Sequence, residues 1–136
     1  MDPDYVERKA VARANRAFYD AFEKFDLDAM RALWADDDRI RCIHPGSEAL
    51  VGQDSVHASW ARIFGATARI RFELVDLAVE VAGASAWVTC VEQIHALHGD
   101  EELVSEAVAT NLFERTDAGW RLLLHHASPI ARRFGG

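Results

Sequence analysis

Three ionisable side chains lie where the surrounding sequence favours proton transfer. His44 ends a short apolar run and precedes a Pro-Gly pair, Glu92 lies inside the apolar run 87–94, and His126 lies inside the last apolar run. An imidazole titrates near neutral pH and can both take and return a proton. A carboxylate inside an apolar strand must be paired or partly hydrated, because burying its charge alone is costly. These residue types indicate general acid–base chemistry.

Each of these residues also has a structural interpretation. His44 could be a loop histidine that hydrogen-bonds the Pro-Gly turn. Glu92 could orient His126 or Asn111, act as an acid or base, or form an ion pair on a dimer face. His44, Glu92 and His126 lack a compact ligand spacing, so no metal is expected. The chain has neither a glycine-rich phosphate loop nor a Gly-x-Ser-x-Gly motif, which disfavours nucleotide binding and nucleophilic catalysis.

The first half of the chain carries three amphipathic patterns. Between Asp4 and Phe25, apolar residues recur every four positions, which predicts a long helix. Asp26 suits the cap of a second helix over 27–34, and Asp54 or Ser55 that of a third helix ending at Gly65. The apolar positions that define these helices are Val6, Ala10, Ala14, Phe18 and Phe22; Leu27, Met30, Leu33 and Trp34; and Val56, Trp60, Ile63 and Phe64.

The rest of the chain alternates with the period of strands. Short strands are predicted at 39–44 and 49–51, and four long ones follow, joined by short turns. A change of alternation near Val75-Asp76 predicts a β-bulge in the first long strand. The long strands, at 68–81, 86–96, 103–116 and 120–128, should form an antiparallel meander. Helices gathered in one part of the chain should cover one face of that sheet, which is an α+β fold.

Composition bounds the class of protein. The 136 residues are 50% hydrophobic and 27% charged, with a net charge of −7, which indicates one globular domain over 1–136 with a core from about 6 to 129. Without a basic patch, nucleic acid is not an expected partner. No apolar stretch reaches the roughly 18 residues of a membrane helix and the N-terminus is acidic, so we expect a cytoplasmic protein without a membrane partner. Cys42 and Cys90 lie in apolar runs and are expected to be free thiols.

Three short segments, taken in order, are typical of one superfamily. They are Phe25–Trp34, which joins the first two helices; His44-Pro45-Gly46 followed by Gly52-Gln53-Asp54; and Thr110–Phe113 with Gly119–Arg121 and His125–Pro129. On these segments the chain resembles the nuclear transport factor two-like (NTF2-like) superfamily, specifically its SnoaL-like and ketosteroid isomerase-like branch. The resemblance implies a cone in which three helices and a strongly curved, mostly antiparallel sheet enclose a pocket. It also implies a homodimer joined through the outer sheet face.

The resemblance suggests roles for single residues. His44 matches the strand-end position of the isomerases' general base, and Asn111 matches the acid that donates to the developing oxyanion. Asn111 could instead satisfy a neighbouring strand or a buried Glu. The tyrosine donor of those isomerases matches Phe18, which cannot donate, so steroid isomerase activity is not expected. Tyr19 lies about 100° further around the helix and is expected at the helix edge.

The resemblance also implies which side of the last strand lines the pocket, because adjacent strand residues point to opposite faces. His126 is therefore expected to point inward, and His125 outward with Arg121 and Leu123. The residues that should share the inward side are Trp120, Leu122, Leu124, His126 and Ser128. The expected apolar wall consists of Phe18, Tyr19, Trp34, Trp60, Phe64, Phe113 and Leu124, each of which could equally be plain core. The facing of Trp87 is left open.

Two functions fit these residues. One is an acid–base enzyme, needing no cofactor, that isomerises, dehydrates, cyclises or hydrolyses a small hydrophobic molecule. His44 would be its base, with Asn111, Glu92 and His126 as polar partners. The other is a non-catalytic ligand-binding or dimeric interaction module of the same fold. Both faces of the last three strands carry hydrophobic residues, which also favours a homodimer.

Overall fold

Three helices pack on one face of a six-stranded sheet in the computed structural model, which describes residues 2–131. The strand order is β2-β1-β6-β5-β4-β3, and every neighbouring pair is antiparallel except β1 and β6. This confirms the α+β prediction. In chain order the elements are α1 Tyr5–Glu23, α2 Leu27–Leu33, β1 Arg41–Ile43, β2 Leu50–Val51, α3 Gln53–Ala66, β3 Arg69–Ala82, β4 Ser85–His98, β5 Glu101–Thr116 and β6 Gly119–Pro129.

Helix α1 buries a wider arc than its four-residue repeat predicts. Tyr19 is fully buried and Asn15 is 1% exposed, whereas Val6 is 71% exposed. The expectation that Tyr19 lies at the helix edge is therefore wrong. The reason is that α1 is covered from two sides, because Tyr19 packs against Phe72 of β3 while Phe22 packs against Trp60 of α3.

The starts of α2 and α3 differ in how well the sequence predicts them. The Asp26 carboxylate accepts a hydrogen bond from the backbone N–H of Ala29 at 3.0 Å, so its predicted role as the cap of α2 is confirmed. The cap of α3 is Gly52 instead of Asp54 or Ser55, and it has a φ of 88°. That left-handed conformation favours glycine, and it turns the chain from β2 directly into α3.

Strand β3 contains the predicted bulge. Asp76 and Leu77 together oppose Cys90 of β4, since the pairing passes from Val75 with Val91 to Ala78 with Thr89. Asp76 takes a left-handed φ of 54° there. An extra residue of this kind bends a strand and increases its twist, so the bulge curves β3 and β4 around the helices.

A second bulge, which the sequence pattern did not predict, lies in β6. Leu112 pairs with Leu124 and Phe113 pairs with Leu122, so Leu123 has no partner in β5. Side chains after this residue change face. Trp120, Leu122, His125 and Ala127 are buried, while His126 and Ser128 are exposed.

The inward placement of His126 and Leu124 is therefore wrong, as is the outward placement of His125. His126 and Leu124 pair with Thr110 and Leu112, whose strand neighbours Asn111 and Phe113 occupy the core. Both residues thus lie on the outer face, the side of the sheet turned away from the helices. Trp87 lies on this face too, because it pairs with Leu112 and is 38% exposed.

Side-chain hydrogen bonds fix α1 across the sheet. The indole N–H of Trp120 donates to Glu7 at 2.7 Å. At the other end of α1, Glu23 accepts from the backbone N–H of Phe72 at 2.9 Å. Because these bonds reach β6 and β3, α1 crosses the four long strands and presents its middle residues to β4 and β5.

Two further properties concern the whole described range. Among residues 2–131, no helix combines the length and the apolar character that crossing a membrane requires. Cys42 and Cys90 are buried and free.

Candidate active site

Asn111 occupies the centre of a buried polar cluster. Its Nδ2 donates to Asn15 Oδ1 at 2.8 Å and to the Tyr19 hydroxyl at 3.4 Å, while its Oδ1 lies 2.6 Å from Nδ1 of His125. An amide oxygen can only accept, so Nδ1 of His125 must carry the proton. Asn111 therefore joins β5 to α1 on one side and to β6 on the other.

Glu92 terminates this cluster on β4. The Tyr19 hydroxyl donates to Glu92 Oε2 at 2.5 Å and lies 3.8 Å from Cys90 Sγ. Burial raises the pKa of Glu92 to about 7, partly opposed by the Tyr19 hydrogen bond. Burial and the neighbouring carboxyl raise the pKa of Tyr19, which is neutral as a result. Glu92 is thus a buried carboxyl that can change charge near neutral pH.

His125 lies next to Asn111 and is held neutral. It is 2% exposed, and burial lowers its pKa to about 3, with further lowering by His44 and His126. Its ring packs against Phe18 and Trp60, with ring centroids 4.8 and 6.1 Å apart. Because Nδ1 carries the proton, Nε2 holds a lone pair.

His44 follows β1 and turns toward the interior, where it is half-buried. Its Nε2 lies 3.0 Å from Ser59 Oγ, and the Ser59 hydroxyl donates to the carbonyl oxygen of Val56 at 2.6 Å. Ser59 has one proton and uses it there, so Nε2 of His44 is the donor and Nδ1 keeps its lone pair. Burial, followed by the positive charge of Arg62, lowers the pKa of His44 to about 4. The Cys42 thiol, a weak donor, lies 3.5 Å from Nε2 and 4.0 Å from Nδ1. A neutral imidazole with a lone pair on Nδ1 is a base.

Two imidazoles and an indole meet at this point. The His44 ring stands perpendicular to Trp60 at 4.9 Å, and its centroid is 6.4 Å from that of His125. The structure therefore brings His44 together with Asn111 and Glu92 through His125 and Tyr19. It leaves His126 outside, on the outer face.

Comparisons with known proteins identify the family. The family model for the SnoaL-like domain matches residues 11–132. The chain belongs to the SnoaL-like family. Its likeness to solved structures of the NTF2-like superfamily agrees with this assignment and with the fold described above.

Two solved structures and one curated protein give the range of SnoaL-like relatives. An NTF2-like protein of Streptomyces avermitilis, described as a candidate dehydratase, is 38% identical, with 96% of this chain and 100% of that chain covered and a TM-score of 0.91. A candidate calcium/calmodulin-dependent protein kinase type II association domain of Thiobacillus denitrificans is 38% identical, with 87% and 93% covered and a TM-score of 0.75. The F-box protein SKIP8 of Arabidopsis thaliana is 27% identical over 124 residues, which are 91% of this chain. The SnoaL-like chain spans about half (51%) of the length of that curated relative.

Sequence reasoning missed three members of the SnoaL-like site, namely Asn15, Ser59 and His125. Asn15 lies four residues before Tyr19, on the same side of α1, and Ser59 lies three after Val56 on the apolar side of α3. A short polar residue inside a helical apolar stripe is the signal that could have found both, since a buried polar group needs a partner. For His125, the misleading feature was the alternation through β6.

The predicted apolar wall divides into three groups. Phe18, Tyr19, Trp60 and Phe64 belong to one aromatic cluster with Phe22 and are in contact. Trp34 and Phe113 are buried in the core, where Trp34 faces His57 at 6.5 Å. Leu124 lies on the outer face. The wall residues of the SnoaL-like interior thus pack mainly against one another.

Three buried donors in this interior lack a hydrogen-bond partner among the residues that the structure describes. They are Nδ2 of Asn15 and the indole N–H groups of Trp34 and Trp60. A cavity of about 230 Å³ between α2 and α3 has Trp60, Met30 and His57 among its lining residues. A wider cavity, of about 620 Å³, is lined by residues such as His95 and Val104 and touches no member of the polar cluster. We place the candidate site at Trp60 and His44, because the ionisable groups converge there.

The alternative of a metal centre finds no geometric support. Glu92 and His44 lie on the inner side of the sheet and His126 lies on the outer face, so the three cannot share one ion. Across residues 2–131, no three His, Cys, Asp or Glu side chains are grouped so that they could hold a metal ion.

Proposed function

We propose that this SnoaL-like protein is an acid–base enzyme of the dehydratase type that acts on a small hydrophobic molecule. The observation that carries the proposal is His44, a neutral and half-buried imidazole whose Nδ1 keeps a lone pair, with the Cys42 thiol, a weak donor, 4.0 Å away. The 38% identical relative described as a candidate dehydratase supports the reaction class. Since a shared fold does not fix a reaction, we infer the chemical step and the ligand class from the residues around His44.

The proposed step uses His44 as base and then as acid. Nδ1 takes the proton from the carbon next to a carbonyl group, and the electron pair of that C–H bond forms a carbon–carbon double bond. The hydroxyl on the next carbon leaves with the electrons of its C–O bond. The imidazolium returns the proton to it, so water is released and no further reactant is needed.

The surroundings of His44 indicate the ligand class. Trp60 and Phe18 offer aromatic faces, and the Trp60 indole N–H has no partner among the described residues. A donor of this kind can bind the carbonyl oxygen on which negative charge develops as the proton leaves. A small aryl ketone with a hydroxyl group on the β-carbon has both features, an apolar ring and an acceptor oxygen.

The test is proton abstraction from such ketones. A panel of small aryl β-hydroxy ketones is incubated with the protein in D₂O; NMR follows exchange at the α-carbon, and ultraviolet absorbance follows the conjugated product. We expect turnover that His44→Gln lowers by about 10²-fold or more, the usual contribution of a general base. His126→Gln, on the outer face, serves as the matched control. If no compound of this class exchanges, or if His44→Gln exchanges as fast as the wild type, the proposal is wrong.

One observation favours the second candidate, a non-catalytic binding module. Phe18, Trp60 and His125 are each at most 2% exposed and are in contact with one another, so a ligand has to displace side chains before it reaches Asn111. Binding without exchange supports this candidate. It is measured as a change in tryptophan fluorescence on addition of the same ketones.

We also propose a homodimer through the outer face. Trp87, Leu112 and Leu124 form one row across β4, β5 and β6, and Val91 and Val108 form a second. Trp87 and Val108 are 38% and 46% exposed. An apolar surface across three long strands, with helices covering only the opposite side, is suited to pairing with a second copy of itself.

A further inference from the structure

The polar cluster has two self-consistent hydrogen-bond arrangements, and the charge of Glu92 selects between them. We propose that Glu92 is a positioning residue that acts through Tyr19 and Asn111 to hold His125 in the tautomer with its proton on Nδ1. The inference does not rest on the proposed function, since the tautomer is a property of the protein without ligand.

The direction of each bond follows from the ionised carboxylate. A carboxylate only accepts, so the Tyr19 hydroxyl has to donate to Glu92, and its oxygen then accepts from Nδ2 of Asn111. This turns the amide oxygen of Asn111 toward His125, whose Nδ1 must donate to it. The tautomer of a histidine on β6 is thus set from a carboxylate on β4.

The same side chains allow the opposite arrangement. A protonated Glu92 can donate to the Tyr19 oxygen, which frees the Tyr19 proton for the oxygen of Asn111 after its amide has rotated by half a turn. Asn111 Nδ2 then points toward His125, whose Nδ1 must accept and whose proton moves to Nε2. Only the protonated carboxyl permits this arrangement, because a carboxylate cannot donate to the Tyr19 oxygen.

Asn15 has to follow Asn111 into the second arrangement. In the observed cluster its Nδ2 is buried without a partner among the described residues, while its Oδ1 accepts from Asn111. If the amides of Asn15 and Asn111 both rotate, Asn15 Nδ2 donates to the oxygen of Asn111 and Asn15 Oδ1 takes the unpartnered position. Each arrangement therefore leaves one Asn15 atom without a partner, and the Tyr19 bond to a charged Glu92 selects the observed one.

Few other groups act on Glu92. From α1 it faces the Tyr19 hydroxyl, on its own strand Cys90 is the titratable neighbour, and across the sheet it pairs with the apolar Leu74 and Ala107. The charged form is disfavoured mainly by burial, which brings the pKa close to 7. At His125 the titratable neighbours are His44 and His126. The two arrangements should therefore exchange near neutral pH.

The experiment reads the tautomer directly. In protein labelled with ¹⁵N at histidine, the ring-nitrogen shifts of His125 report which nitrogen carries the proton. We expect the Nδ1–H form above about pH 8 and a change toward the Nε2–H form as the pH falls through the Glu92 transition. In Glu92→Gln the side chain cannot titrate, so the change should disappear. Tyr19→Phe should abolish it as well, because it cuts the chain between Glu92 and Asn111.

Two controls separate this effect from nearby charges. Glu73→Gln removes a carboxylate from the same sheet, on an exposed position of β3, and His126→Gln removes the adjacent imidazole; both should keep the wild-type change. The inference is overturned if Glu92→Gln keeps that change or if wild-type His125 is in the Nε2–H form at high pH. The spectrum needs no substrate. The inference about the tautomer can therefore fail while the ketone assay supports the proposed function, and the reverse also holds.

Discussion

The hydroxyl oxygen of Tyr19 on α1 lies 2.5 Å from Oε2 of Glu92 on β4, and both side chains are at most 2% exposed. A buried carboxylate has lost its water and has to obtain its donors from the protein. Tyr19 supplies the one side-chain donor that the described residues offer Glu92. This pair therefore ties α1 to β4 and joins Glu92 to the rest of the polar cluster.

Tyr19→Phe should destabilise the protein. The substitution keeps the ring against Phe18 and Phe72 but leaves the Glu92 carboxyl without its donor, which costs roughly 2–3 kcal/mol for a bond to a charged acceptor. The measurement is the free energy of unfolding from urea denaturation at neutral pH. Tyr5→Phe is the matched control, because Tyr5 is 56% exposed and its loss of a hydroxyl should change little. Equal stability of the two variants would contradict the assigned bond.

Glu92→Gln should gain stability relative to the wild type as the pH rises. The pKa of Glu92 is raised from 4.5 to about 7 in the folded state, so between these values the folded protein holds a proton that the unfolded chain has released. The contribution of Glu92 to stability is therefore complete below pH 4.5, its pKa in the unfolded chain, and is lost as the pH rises through about 7. Gln has no such dependence, and the difference should grow by about 1.4 kcal/mol per pH unit inside the window.

Urea denaturation of both proteins at a series of pH values from about 5 to about 8 measures this difference. Glu73→Gln is again the control, because it removes an exposed carboxylate of the same sheet and leaves Glu92 in place. A constant difference between Glu92→Gln and the wild type would mean that Glu92 titrates at its ordinary value in the fold.

Substitution of His125 should change the acid side of the stability curve. The pKa of His125 is lowered from 6.5 to about 3, so on acidification the unfolded chain takes up a proton that the folded protein refuses. The stability that His125 contributes is complete above pH 6.5, its ordinary pKa, and is lost as the pH falls toward its pKa in the folded protein. His125→Gln can still donate to Asn111. It should lose less stability on acidification than the wild type does. The loss that His44 causes has the same sign and should remain.

Thermal or urea unfolding between about pH 5 and pH 7 checks this prediction. His126→Gln provides the comparison on the neighbouring, exposed position, and it should keep the acid loss that the buried His125 causes. If His125→Gln and His126→Gln lose stability with the same slope, the buried position of His125 is wrong.

Local patterns account for what could be predicted from the sequence. The helices, the Asp26 cap and the bulge at Asp76 each depend on a few neighbouring residues, and each is found in the structure. The order of β3 to β6 follows from short turns, which force neighbouring strands to pair. These elements place His44, Asn111 and Glu92 on the inner side of the sheet.

The bulge in β6 could not be predicted because the sequence carries no phase signal there. Leu122, Leu123 and Leu124 are consecutive, so any one of them fits the core and the alternation can shift without leaving a polar residue in the wrong place. Only the pairing with β5 reveals that Leu123 is the extra residue. The hydrogen bond between His125 and Asn111 depends on this shift, which explains why the wrong histidine was expected inside.

Val108→Asp should weaken the proposed homodimer. Val108 lies in the middle of β5 on the outer face, is 46% exposed and pairs with Val91, so a two-fold arrangement of this face would bring the new carboxylates of both copies into an apolar contact. Desolvating an unpaired charge costs several kcal/mol, enough to separate the copies at micromolar concentration. Light scattering should give twice the 15.2 kDa of one chain for the wild type and the mass of one chain for the variant. Val6→Asp, on the exposed side of α1, should remain dimeric, and a wild-type protein that scatters as a single chain would rule the dimer out.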